Sequence, residues 1–165
     1  MARYALQDML RIRTMREDRA GKELVVAKRE RDSAEARLNE HKQKLIDFQK
    51  EKDARRDRLY ATVLHKIIKR EQLDRLKEEL AKLDEEEMLL AEAVKTAEKE
   101  LADKTAAADK AHTRFVIESK NLMKIQSHKN AWVTEEAKEQ ERIQDSEMEE
   151  FTGKRNTNDN YDDFN

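Results

Sequence analysis

The chain has 165 residues, 44% of them charged and 37% hydrophobic, with 5% aromatic, two glycines, no proline and no cysteine. Ordinary usage would put roughly 8 prolines and about 11 glycines in this length. Sheet turns, Gly-rich phosphate loops and a broad core are therefore excluded, and long uninterrupted helix is what remains.

The N-terminus, MARYALQDMLRIR, carries Asp8 and several arginines within its apolar part, so it lacks the unbroken apolar core of a signal peptide. From Leu6 to Leu59, stepping by alternate fours and threes meets ten apolar residues in sixteen positions, among them Leu24, Leu38, Leu45 and Phe48. The same stepping from Leu76 to Trp132 meets thirteen in seventeen, including Leu83, Leu90, Leu101, Phe115 and Leu122. A 3.5-residue apolar period sustained this long is the signature of a coiled coil.

Between the two runs lies LYATVLHKIIKREQ, where Tyr60, Val63, Leu64, Ile67 and Ile68 leave the seam. The heptad phase passes through this stretch unchanged, so one continuous helix, paired in a parallel homodimeric spacer or scaffold, is an open alternative. A turn is favoured because β-branched residues suit an exposed helix face poorly. Folding there also sets small Ala20 and Gly21 opposite Phe115, and Tyr4 near Trp132. The expected fold is all-α: an antiparallel two-helix coiled-coil hairpin. Arm one covers about residues 2–62, the turn about 63–69 and arm two about 70–150, and residues 152–165 form a disordered tail. Arg13, Glu17, Arg31, Lys52, Glu87, Lys104 and Glu118 interrupt the seam, and the basic stems are expected to lie in the groove with their charges in water.

The 35 Lys plus Arg against 37 Asp plus Glu leave a net charge of −2, which predicts neither nucleic-acid nor anionic-membrane binding for the whole chain. The average hides a gradient, with net +4 over residues 1–31 and net −7 over residues 134–165. No run of the ~18 apolar residues that a spanning helix needs occurs, so direct membrane insertion is not expected. Absence of cysteine fits a cytoplasmic location.

The histidines, His41, His65, His112 and His128, are scattered without metal-ligand spacing, so no metal and no cofactor is expected. The carboxylate runs have no enclosed pocket to shift their pKa values, and no catalytic residue is expected either. Two apolar clusters off the seam carry more information. Met9, Ile12 and Met15 recur every three residues near the N-terminus, with Val116, Ile117, Met123 and Val133 on the second arm; the other cluster is the five apolar residues of the turn. They read as docking surfaces or as local packing that widens the seam. Among the arginines of the first cluster, Asp8, Glu17, Asp18 and Glu23 are interleaved, which argues against DNA binding; the arginines read either as a solvated, mixed-charge face or as aimed at carboxylates on a protein partner.

Arg3 and Tyr4, followed by Leu6, Leu10, Ile12, Arg13, Arg16, Glu17, Asp18 and Ala20, resemble the N-terminal pattern of the YscO/SctO family, central stalk proteins of type III secretion systems whose flagellar counterpart is FliJ. The second arm, with its leucine heptads, late Trp132 and Glu-rich end, is similar, so the resemblance covers about residues 1–150. Ala5 stands where members often have proline. The resemblance implies a monomeric, non-enzymatic stalk at the inner-membrane base of the secretion apparatus. Its partners would be the hexameric secretion ATPase, the cytoplasmic ring of the export gate and secretion chaperones. Joined to the cluster reading, it assigns Arg3, Met9, Arg11, Ile12, Arg13, Met15 and Arg16 to the ATPase, and Tyr60, Val63, Leu64, Ile67 and Ile68 to the gate.

Overall fold

A computed structural model describes residues 4–158, with side chains described for residues 4–150. It contains two helices, α1 (Gln7–Val63) and α2 (Arg70–Asn158), and no strand among the described residues. The fold is all-α, with the two helices packed antiparallel as a coiled-coil hairpin. Its basis in sequence is direct. All sixteen positions of the first apolar stepping and all seventeen of the second are buried or half-buried, polar interruptions included. Ala20, Leu24, Ala34, Leu38 and Phe48 on α1, with Leu76, Leu83, Ala97 and Ala108 on α2, are the most enclosed apolar positions of the helices. Among the remaining seam residues, Leu45, Leu90, Leu101, Phe115, Leu122 and Trp132 are half-buried, as expected where each helix has only one neighbour to cover its stripe.

The chain divides into two compact units, one of residues 4–20 with 114–158, the other Gly21–Thr113. In the second unit, charged pairs link the helices in antiparallel order: Glu30 meets Lys104, Arg37 meets Glu100, Lys42 meets Glu98, and Lys52 meets Asp84 and Glu87. Each step up α1 is a step down α2.

The connection in this unit occupies residues 64–69 and is made without Gly or Pro. His65 takes the left-handed conformation, with φ of 61°, the position at which a helix commonly ends in glycine. Its sterically costly backbone ends α1, and the amide of Lys66 reaches back to the carbonyl of Val63 at 3.4 Å. At the start of α2 the Gln72 side chain accepts the Lys69 amide at 3.0 Å. That is the reciprocal half of a capping box, present although Lys69 has no capping oxygen of its own.

Gly153 lies inside α2, which runs to Asn158. A glycine costs a helix interior only about 1 kcal/mol against alanine, too little to stop a long helix that propagates cooperatively. Residues 159–165, the rest of the expected tail, lie outside the described residues.

Candidate docking surfaces

In the unit of residues 4–20 and 114–158, the N-terminal segment is fastened to α2 by an aromatic cluster. Tyr4 is buried at 6% exposure; its hydroxyl hydrogen bonds His128 Nδ1 at 2.8 Å, and its ring lies 5.4 Å from that of Trp132. The size complement between the N-terminus and the late tryptophan was readable in the sequence. The histidine was not, since nothing in the spacing of four scattered histidines marks one as a partner for a phenol.

Beside this cluster Met9, Ile12 and Met15 are exposed on α1, and Ile117, Met123 and Val133 on α2, while Val116 is half-buried. Arg11 and Arg16 share the exposed side chains of α1. Arg13 does not: it is half-buried, with Nη1 3.6 Å from Glu118 Oε2. That oxygen is enclosed and accepts no hydrogen bond, so the guanidinium is held inward as its compensating charge. Arg3 lies outside the described residues. The exposed members of the set are therefore Met9, Arg11, Ile12, Met15 and Arg16. Past Trp132, nearly every described side chain of α2 is exposed, including Ile143 and Met148.

In the unit Gly21–Thr113, the five apolar residues of the turn separate into two sets. Tyr60, Leu64 and Ile67 are exposed, and Ile67 fully so. Val63 and Ile68 are half-buried and, with Leu59, Ile67 and Leu76, line an open cleft of about 380 Å³. Lys66, Arg75 and Glu79 also border it. No periodicity in the sequence marks such a cleft, because it depends on where the chain reverses.

The polar seam residues of this unit behave differently from expectation. Lys52 does not extend its charge into water: it is 7% exposed, and its Nζ lies 2.6 Å from Asp84 Oδ1 and 2.5 Å from Glu87 Oε2. Hydrogen bonds from Lys52 hold the carboxyls of Asp84 and Glu87 below their ordinary range, and the bonds to Asp84 and Glu87 hold the Lys52 ammonium above its own. Glu87 is one of the expected seam interruptions, so two apparent defects in the apolar stripe are halves of one ionic layer. Lys104 and Glu30 repeat the arrangement at 2.7 Å nearer the surface, and their bond lowers the Glu30 carboxyl and raises the Lys104 ammonium.

No described helix is long and apolar enough to cross a membrane. Both units expose large apolar side chains off the seam, and the sequence comparison gives the setting. The family of the type III secretion protein YscO matches residues 6–154, nearly the whole chain. The chain belongs to the YscO family. No curated protein and no solved structure matches it. As a YscO-family member it is a type III secretion protein, and the YscO match covers most of α1 and α2 with both exposed clusters.

Proposed function

We propose that this YscO-family protein is the central stalk of a bacterial type III secretion system. It works as a monomer without catalytic residues or cofactor, in the cytoplasm at the inner-membrane base of the apparatus. The unit bearing Met9, Arg11, Ile12, Met15 and Arg16 enters the hexameric secretion ATPase, and the turn bearing Tyr60, Leu64 and Ile67 meets the cytoplasmic ring of the export gate. The observation that supports this reading is that large apolar side chains stay exposed off the seam in both units, Met9, Ile12 and Met15 in one and Tyr60, Leu64 and Ile67 in the other, together with further ones such as Met88 and Leu89 in the second unit, while the apolar stripes between the helices are already used within the chain. Among the described residues the 3.5-residue stripes of both helices are thus covered within one chain as far as Trp132, which disfavours the homodimeric spacer.

An asymmetric hairpin inside a six-fold ring touches its subunits unequally. It favours the conformations it contacts best, and so biases which subunit binds or hydrolyses ATP and stabilises the closed ring. The same exposed faces give secretion chaperones a place to be carried. The test is a titration of purified secretion ATPase with the full chain. ATPase activity and the hexamer fraction should rise, and an Arg11→Glu, Arg16→Glu variant should lose the effect while keeping its helical circular dichroism. Equal responses to wild type and variant, or no response to either, would remove the ATPase assignment.

A further inference from the structure

The cleft under the turn has a chemistry of its own. Its walls combine apolar Leu59, Val63, Ile67, Ile68 and Leu76 with polar Thr62 and Gln72, and its volume of about 380 Å³ is at the lower end of the roughly 300–1,000 Å³ of ordinary ligand clefts. Its border carries two cations, Lys66 and Arg75, and one carboxylate, Glu79. Glu79 is already neutralised, with its Oε1 2.7 Å from Lys82 Nζ, whereas Lys66 and Arg75 make no ion pair among the described residues. Lys69 and Arg70 follow in the same stretch, and residues 58–70 contain no acidic residue. The border is therefore cationic around an apolar floor, although the chain as a whole carries a net charge of −2.

We infer that this cleft is a receptor for a peptide segment with one large apolar side chain flanked by carboxylates, the apolar group seated on Val63, Ile68 and Leu76 and the carboxylates on Lys66 and Arg75. The inference rests on the proposed contact between the turn and the export gate, and names the chemistry that the gate must present: an acidic segment with an apolar anchor. Concavity distinguishes this mode from a simple apolar contact. The outward side chains, Tyr60 and Leu64, press on a partner surface, whereas the cleft takes a partner side chain into itself, and a filled cleft with opposite charges at its rim fixes register as well as affinity.

The experiment measures binding of the full chain to the purified cytoplasmic domain of the export gate, and separately to phosphatidylglycerol vesicles. Two variants address the cleft without touching the outward face: Thr62→Trp, which places an indole into it from an exposed lining position, and Lys66→Glu with Arg75→Glu. A third, Tyr60→Ala with Leu64→Ala, addresses the outward face alone. Helical circular dichroism confirms that each variant folds. The expected result is at least a tenfold loss of gate binding for both cleft variants, and a wild-type affinity that falls as salt is raised. If both cleft variants bind like wild type while the outward variant loses binding, the receptor inference is overturned and the gate contact stands. If the wild type binds no gate domain, or binds the vesicles in its place, the inference and the gate assignment fall together.

Discussion

Tyr4 is the residue whose removal should loosen the first unit while leaving the unit Gly21–Thr113 unchanged. It is buried, hydrogen bonded to His128 and stacked at a tilt on Trp132. The hydroxyl contributes about 1 kcal/mol, the usual net worth of one hydrogen bond. The ring accounts for the rest of the roughly 3 kcal/mol at the low end for truncating a large buried aromatic, the low end applying because a site between two helices is open at its sides. At 1.4 kcal/mol per factor of ten, Tyr4→Ala should raise local opening of the N-terminal segment by roughly a hundredfold, and Tyr4→Phe by about fivefold. Trp132 is the chain's single tryptophan, so its fluorescence reads this cluster directly. Tyr4→Ala should shift its emission to the red and make it more accessible to iodide. Amide exchange of residues 7–12 should accelerate by a similar factor, while exchange in the unit Gly21–Thr113 stays as in wild type. Unchanged Trp132 accessibility in Tyr4→Ala would refute the packing argument, and a loss in Tyr4→Phe as large as in Tyr4→Ala would refute its division between ring and hydroxyl.

The remaining predictions concern the unit that contains the turn. His65→Gly should stabilise it by about 0.5–1 kcal/mol in urea denaturation, because glycine carries no steric penalty at positive φ, and His65→Val should destabilise it by about 1 kcal/mol or more. The lowered carboxyls of Asp84 and Glu87 contribute stability above the unfolded carboxylate range and lose it as pH falls through their folded values. The raised Lys52 contributes fully below the ordinary lysine value and loses it as pH rises through its folded value. Lys52→Met should therefore flatten the stability profile at both the acid and the alkaline limb, measured by urea midpoints across pH; a profile parallel to wild type would show that the layer is not titrating as a unit. Leu38→Ala, at a buried position of the stripe, should cost about 2–3 kcal/mol, against less than about 0.5 kcal/mol for Ile46→Ala on the exposed face.

The stripe was legible because a coiled coil writes its core into a period, and a side chain at a stepping position is covered whatever its type. This is why Lys52 is buried along with Leu38 and Phe48, and Arg13 half-buried. What the period could not convey is which interruptions face one another. Lys52 with Glu87, and Arg13 with Glu118, become pairs only once the reversal of the chain is located. The reversal itself was legible from the β-branched run at Val63, Ile67 and Ile68, but its mechanism was not, since the left-handed residue is a histidine where glycine would be the usual signal. Of the candidate site residues, Met9, Ile12, Met15, Tyr60, Leu64 and Ile67 could be picked from the sequence as apolar residues off the seam, and they are exposed. The cleft, which depends on three-dimensional closure at residues 64–69, left no mark in the sequence at all.

The central claim is that one chain connects two machines. It is tested most directly by mixing purified secretion ATPase, immobilised, with the gate's cytoplasmic domain in the presence and absence of this protein, and measuring how much gate domain is retained. The account predicts retention that rises with added chain, and that is lost both in Arg11→Glu, Arg16→Glu and in Tyr60→Ala, Leu64→Ala. Gate domain retained equally without the chain, or never retained with it, would contradict the account.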